Sequence, residues 1–200
     1  MKKKGLPRCG RCENKECRGG KDCFLRAGAH KKFYRDPAIA KLHKAASAIE
    51  ARHYGKQTRL GEIILLGREL GCRKVGLAFC IGLSDEAKVI EGILSDHFEV
   101  ASVCCQVCGL KKDAFGLEKL EAEADEVMCN PAGQADILNR SGTGLNIVCG
   151  LCVGHDAIFS RASRAPVTTL ITKDRVLGHN PAAAVYCQYV RKRFSKPSTT

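Results

Sequence analysis

The chain has 200 residues, 44% of them hydrophobic, with no tryptophan and an aromatic share of only 6%. That suffices for one full-sized domain with a buried core plus a small appendage, and it argues against recognition built on rows of stacked aromatics. The formal net charge of +12 is unevenly placed, because residues 1–60 hold 17 basic against 5 acidic side chains whereas residues 61–200 hold 16 of each.

Residues 1–36 are rich in Gly, Lys and Cys and poor in apolar side chains. Such a segment builds no core by itself and needs a staple, for which a metal is the usual solution. Four cysteines lie here as Cys9-x2-Cys12-x4-Cys17-x5-Cys23. A Cys-x2-Cys knuckle lets two sulfurs reach one ion. Two further thiols at loop distance complete a tetrahedral sulfur shell, suited to zinc or to an iron–sulfur cluster. The spacing is near that of a zinc knuckle, with Cys where the third ligand is usually His. The surrounding lysines read as solubilising. Weak, non-specific contact with nucleic acid is the most they predict, since the segment offers only Phe24, Phe33 and Tyr34 for stacking.

The basic start runs into Pro7 and Cys9 without an apolar stretch of signal-peptide length. No run reaches the roughly 18–20 apolar residues of a membrane span. The expectation is a cytoplasmic protein with reduced thiols, whose clustered cysteines are ligands or redox groups. An odd total of 13 cysteines does not suit a purely paired disulfide framework.

From Pro37 the pattern becomes helical. Ile39, Leu42, Ala46 and Ile49 recur at helical spacing up to Tyr54, with Asp36 as N-cap and Pro37 at the first helical position. Thr58 to Leu70 reads as a second helix, stopped by Gly71. Alternating units follow. Strands are predicted over Lys74 to Ile81, Phe98 to Val103, Glu126 to Met128, Leu145 to Val148 and Val167 to Thr172. Helices are predicted from Ser84 to about His97, over Asp113 to Ala124, from Asn130-Pro131 to about Arg140, over His155 to Ser163, and from Asn180-Pro181 to about Phe194. Strands alternating with helices predict an α/β domain over 37–200, Rossmann-like, with a mostly parallel sheet and helices on both faces. It follows a Cys-rich basic metal-binding module over 1–36. No nucleotide-binding motif is present.

The second group of cysteines falls at strand ends. Cys104, Cys105 and Cys108 follow the second predicted strand, Cys129 the third, and Cys149 and Cys152 the fourth. The carboxyl ends of parallel strands lie along one edge, where ligands bind, so Cys105, Cys129 and Cys152 are expected to converge on one metal centre. Cys104 and His155 are the reserve ligands. Cys72, Cys80 and Cys187 lie inside apolar patterns and read as core cysteines. The convergent set is open to four readings: an iron–sulfur cluster, a single metal ion, a dithiol redox centre, or inert buried thiols. Asn130 and Asn180 are expected to cap helices whose N-termini face this edge and favour an anionic cofactor or substrate. His155, Asp156 and His179 are candidate proton donors or ligands, or else caps. Lys173, Asp174 and Arg175 read as a solvated turn in preference to an anion site.

The strings SVCC (102–105), MCNP (128–131), GLCVGHD (150–156) and APVTTLITKDRVLGHNPAAAVY (165–186) resemble the uncharacterised domain of unknown function 1847. The resemblance runs from about residue 60 onward, with a looser Cys-rich match ahead of it. It implies a metal-binding protein of anaerobic bacteria and archaea and supplies no activity. Residue by residue it covers Cys104, Cys105, Cys129, Cys152, His155, Asp156, His179 and Asn180, whereas Cys108 and Cys149 fall outside it. The resulting expectation is a thiolate-rich metalloprotein for electron transfer or cluster-dependent small-molecule redox chemistry. A [4Fe–4S] cluster is the first choice and zinc the second, with a redox partner or a small anionic substrate. Two alternatives stand beside it: a zinc-stapled nucleic-acid- or partner-binding protein, and a dithiol redox protein.

Overall fold

The computed structural model describes residues 6–194; the lysines at 2–4 and residues 195–200 lie outside the described residues. Two units are distinguished, Met1–Lys44 and Ala45–Thr200. The first holds single 3-10 turns at Cys9–Arg11, Glu16–Gly19 and Lys31–Arg35, a one-turn helix α1 (Ala27–His30) and the start of α2 (Pro37–His53). The side chain of Asp22 shapes this segment by accepting from Ala27 N at 2.7 Å and from Phe24 N at 3.3 Å. Asp36 starts α2, its Oδ1 accepting from Ala38 N and Ile39 N at 2.9 and 3.1 Å. Side-chain oxygens there satisfy amide donors that a helix start leaves unpaired.

In the second unit α3 (Arg59–Glu69) begins at the cap Thr58, whose Oγ1 accepts from Gly61 N. Then come β1 (Lys74–Phe79), α4 (Ser84–Ser95), β2 (Glu99–Cys104), α5 (Pro131–Ser141), β3 (Leu145–Cys149), α6 (His155–Ala162) and β4 (Val167–Ile171). Short α7 (Ala183–Tyr186) and α8 (Gln188–Arg191) follow. The four strands form one parallel sheet in the order β2-β1-β3-β4. The two central strands are the most buried: Val75 to Ala78 of β1 and all five residues of β3. That is the continuous apolar character of strands covered on both faces. Helix α4 packs on β1 and β2, and α5 and α6 pack against each other; with this strand order the usual right-handed crossover puts α4 on the opposite face from α5 and α6. The chain steps outward from β1 to β2 and then returns across β1 to β3. The direction of winding therefore reverses between β1 and β3, and the crevice at that reversal is where open parallel sheets bind ligands.

One polar side chain is buried in the sheet. Asn146 on β3 is fully enclosed, and its amide donates to Ser163 Oγ at 2.8 Å and accepts from Thr143 Oγ1 at 2.7 Å. Its neighbour across the ladder is Gly76, where a Cβ would stand 2.1 Å from Asn146 Oδ1. The glycine is there for space, because a buried amide must keep both partners.

Three expectations fail. The helix predicted over 113–124 is a single 3-10 turn, Lys112–Phe115, stopped at Gly116 with φ 61°. Downstream, the Glu126 carboxylate accepts from Leu120 N and Glu121 N, taking amides that a helix would have used. The strand predicted over 126–128 is only an isolated antiparallel bridge between Val127 and Lys111, so the sheet has four strands and not five. The last helix starts at Ala183 and breaks at Cys187, which is extended (φ −78°, ψ 110°), giving α7, α8 and a 3-10 turn at Lys192–Phe194. Asn180 therefore caps no helix; its carbonyl accepts from Ala183 N within a turn. Helix α4 begins at Ser84, as expected, and the Ser84 Oγ donates to Ile81 O. Among the described residues no helix is long and apolar enough to cross a membrane.

Candidate functional site

Phe79 stands opposite both Cys104 and Cys149, so β1, β2 and β3 end level with one another. Each of these three ends carries sulfur: Cys80 directly after β1, Cys104 and Cys105 at the end of β2, Cys149 closing β3 with Cys152 just beyond. The end of β4 is followed by Lys173 and Arg175 instead.

Cys105 and Cys129 are brought together, with their Sγ atoms 3.8 Å apart. Cys105 is 2% exposed and its sulfur accepts from Ile81 N at 3.3 Å. Asn130 N donates to Cys105 O at 2.6 Å, which folds residue 129 back onto residue 105. The side chain of Asn130 caps α5 by accepting from Gly133 N at 2.8 Å and donates to Val107 O at 3.3 Å. The two thiols ionise unequally. The hydrogen bond shared with Cys105 holds Cys129 below the usual thiol range, whereas that same bond and burial push Cys105 well above it. Of the two, Cys129 is the one whose ionisation the coupling favours. Burial pushes the Cys149 thiol up to about 11, and burial also raises Cys104.

Cys80 belongs to this group, although its sequence context reads as plain core. It is 6% exposed, and Lys173 Nζ donates to its Sγ at 3.5 Å. Its thiol acts on the ionisation of Cys104, Cys105, Cys129 and Cys149. The missed signal is the strand end: the apolar run continues to Ile81, but β1 stops at Phe79, and Cys80 then occupies the same place on its strand as Cys105 does on β2. Cys152 is half-buried, is felt electrostatically by Cys129, and accepts from Arg175 Nη2 at 3.0 Å. Lys173 and Arg175, read from sequence as a solvated turn, each face a sulfur.

The remaining candidates are placed as follows. Asp156 accepts from Gly154 N and Ala157 N and so orders the start of α6. His155, half-buried at the first position of that helix, donates its backbone N–H to Cys152 O at 2.9 Å. His179 lies in the turn after β4, its Nδ1 accepting from Asp174 N at 3.1 Å. Cys108 is exposed with φ 69°. In the first unit Cys9, Cys12, Cys17 and Cys23 are all exposed, and the thiols of Cys17 and Cys23 each donate to a backbone carbonyl at 3.7 Å. Among the described residues no three His, Cys, Asp or Glu side chains stand ready-arranged for a metal ion. Gly150, at φ 64°, turns the chain between Cys149 and Cys152, and a Cβ there would meet Leu83 Cδ2 at 2.7 Å. A side chain at 150 would force apart the two loops that flank the winding reversal.

The Cys105–Cys129 pair alone has the spacing of two ligands on one thiophilic ion. Two thiolates on one tetrahedral centre, with bonds of about 2.3 Å, lie about 3.8 Å apart. The spacing of Cys105 and Cys129 is that edge. In a cubane cluster each iron takes its own thiolate, so a pair this close suits a shared ion better than two cluster corners.

The family described as "Protein of unknown function (DUF1847)" matches residues 24–170. The "Uncharacterized protein MJ0455" of Methanocaldococcus jannaschii is 49% identical over 189 residues, covering 93% of this chain and 97% of the relative. No solved structure matches. The match across most of the sheet and its thiol-bearing edge, with a relative alike over nearly its whole length, shows that this chain belongs to the DUF1847 family.

Proposed function

We propose that the chain is a thiolate metalloprotein whose centre sits at the winding reversal of the sheet. Cys105 and Cys129 anchor the ion, and Cys80 and Cys152 complete a four-sulfur shell. The observation that carries this reading is the 3.8 Å separation of the two anchoring sulfurs. Iron in such a shell supplies one-electron transfer, while zinc supplies structure. The chain's own residues bury the sulfurs, direct Ile81 N–H at one of them and bring two cations to two others. The protein then works in the cytoplasm, where thiols stay reduced, with a redox protein or a small anionic molecule as its partner. Cys9, Cys12, Cys17 and Cys23 hold a second ion as staple or relay. Contact of the basic segment with nucleic acid is charge-driven and non-specific.

Metal and acid-labile sulfide analysis of anoxically purified protein tests this. Iron or zinc should be present, and replacing Cys105 and Cys129 by Ser should remove the share held in the second unit. Abundant labile sulfide would replace the single ion by a cluster. A double variant that retains all its metal would sink the proposal.

A second reading is favoured by the unequal ionisation of the same pair. A thiolate on Cys129 can attack a disulfide of a partner, and Cys105 can resolve the mixed disulfide. This leaves Cys105 and Cys129 joined and the partner reduced to two thiols by two electrons. Recovery of a Cys105–Cys129 disulfide, with no metal in the second unit, would select it.

A further inference from the structure

We infer that a cavity lined by α2, α3 and the edge strand β4 binds an aliphatic diamine, with its methylene chain on an apolar floor and its two ammonium groups at Glu50 and Glu62. The cavity measures about 460 Å³, within the roughly 300–1,000 Å³ of small-molecule sites. It lies wholly in the second unit. None of its lining residues is a cysteine, so it stands apart from the thiols at the sheet edge.

The floor comes from the helical periods of α2 and α3. Ile49 and Ile63 are buried, and Leu66 packs against the core one turn after Ile63. Each floor isoleucine has a carboxylate beside it in the chain: Glu50 follows Ile49 on α2, and Glu62 precedes Ile63 on α3. Glu50 is exposed and Glu62 half-buried. Tyr54, just past the end of α2, stands exposed at the rim, where its ring can receive an ammonium.

One cation also lines the cavity, and its donors are committed elsewhere. Arg59 Nε donates to Thr169 O at 2.6 Å and its Nη2 to Thr168 Oγ1 at 3.1 Å. Those bonds fasten the start of α3 to the outer side of β4, which has no further strand beside it. Glu62 lies three residues after Arg59, at the spacing of a helical ion pair. Even so, neither Glu62 nor Glu50 has an ion-pair partner among the described residues.

The lining selects the ligand by its chemistry. An anion would meet two carboxylates. An inorganic cation would leave the isoleucine floor unused, and a monoamine would leave one carboxylate without a partner. A diamine satisfies both carboxylates and covers the floor with its methylenes. The chain as a whole carries a formal charge of +12, so general attraction does not hold an amine to it; a local pair of carboxylates does.

The test is calorimetric titration of the full, reduced chain with cadaverine. One equivalent should bind, less tightly as salt is raised. Glu50→Gln and Glu62→Gln should each weaken binding about fivefold, the upper range for an exposed ion pair, and the double variant should lose it. Pentylamine should bind more weakly than cadaverine, and pentanediol should not bind. Ala46→Phe fills the cavity from an exposed position on α2 and should block binding while the circular dichroism of the chain stays the same. No binding by the parent chain would overturn the inference, as would full binding by the double Gln variant or by Ala46→Phe. Equal binding of pentanediol would also overturn it, because the floor alone would then be holding the ligand.

Discussion

Cys105 and Cys129 are the same chemical group in unlike surroundings: one is enclosed and receives an amide, the other is half-buried and hydrogen-bonds to the first. In the metal-free, reduced protein, Cys129 should therefore ionise first as pH rises, below the ordinary thiol value of 9.0. Cys149, at about 11, should follow later, and Cys105 last. Alkylation is carried by the thiolate, so its rate against pH reports this order. Cys105→Ala removes the hydrogen-bond partner that lowers Cys129 but not the burial, so the Cys129 profile should shift to higher pH. A profile indifferent to Cys105→Ala would show that the two sulfurs do not share a proton. At this scale the sequence was readable where a cysteine follows a strand and is itself followed by turn residues, as with Cys105 and Cys129. Cys80 was hidden because the apolar run passes through it. Lys173 and Arg175 were hidden because nothing in a Lys-Asp-Arg string says that it faces sulfur.

Helix α5 carries Cys129 at its threshold, and its start is over-determined. Asn130 caps it, Pro131 occupies its first position, and Gly133 lies so near the cap that a Cβ there would stand 2.3 Å from Asn130 Nδ2. Helix propensity alone says Gly133→Ala should stabilise by about 1 kcal/mol. The crowding reverses that sign. Gly133→Ala should destabilise by displacing the cap, at a cost near the roughly 0.5–2 kcal/mol expected for Asn130→Ala, and the double variant should cost little more than either alone. Urea midpoints decide it: a stabilised Gly133→Ala protein would mean that the cap does not depend on the glycine. Elements whose start and period agree, such as α2 behind Asp36 and α5 behind Asn130, were legible to within a residue or two. The failures at 113–124 and after Asn180 are local. Glu126 takes the amides of Leu120 and Glu121 in the first, and in the second the backbone turns at Asn180 and is extended at Cys187, so only short helices form.

Across the whole molecule, strict alternation of apolar runs with helical segments was enough to fix a parallel sheet. It did not fix the order β2-β1-β3-β4, because which strand returns beside β1 depends on burial of both faces, and short apolar runs report that poorly. That order makes β2 an edge strand, and the connection leaving it returns only at Asn130, tied to Cys105 through its backbone N–H. The two sulfurs at its ends are 24 positions apart in sequence. Any bond that joins them, through an ion or directly, closes a ring in the unfolded chain and removes about 3 kcal/mol of its conformational freedom. For a unit of this size that corresponds to a rise in melting temperature of roughly 6–12 °C. Calorimetry with and without Zn(II), on the chain lacking its four N-terminal thiols, should show the rise, and Cys129→Ser should abolish it. No rise in the parent would mean that the ring is not being closed. The looped connection thus converts a local event at two sulfur atoms into heat resistance of the entire sheet, so that the melting temperature reports whether the edge is filled.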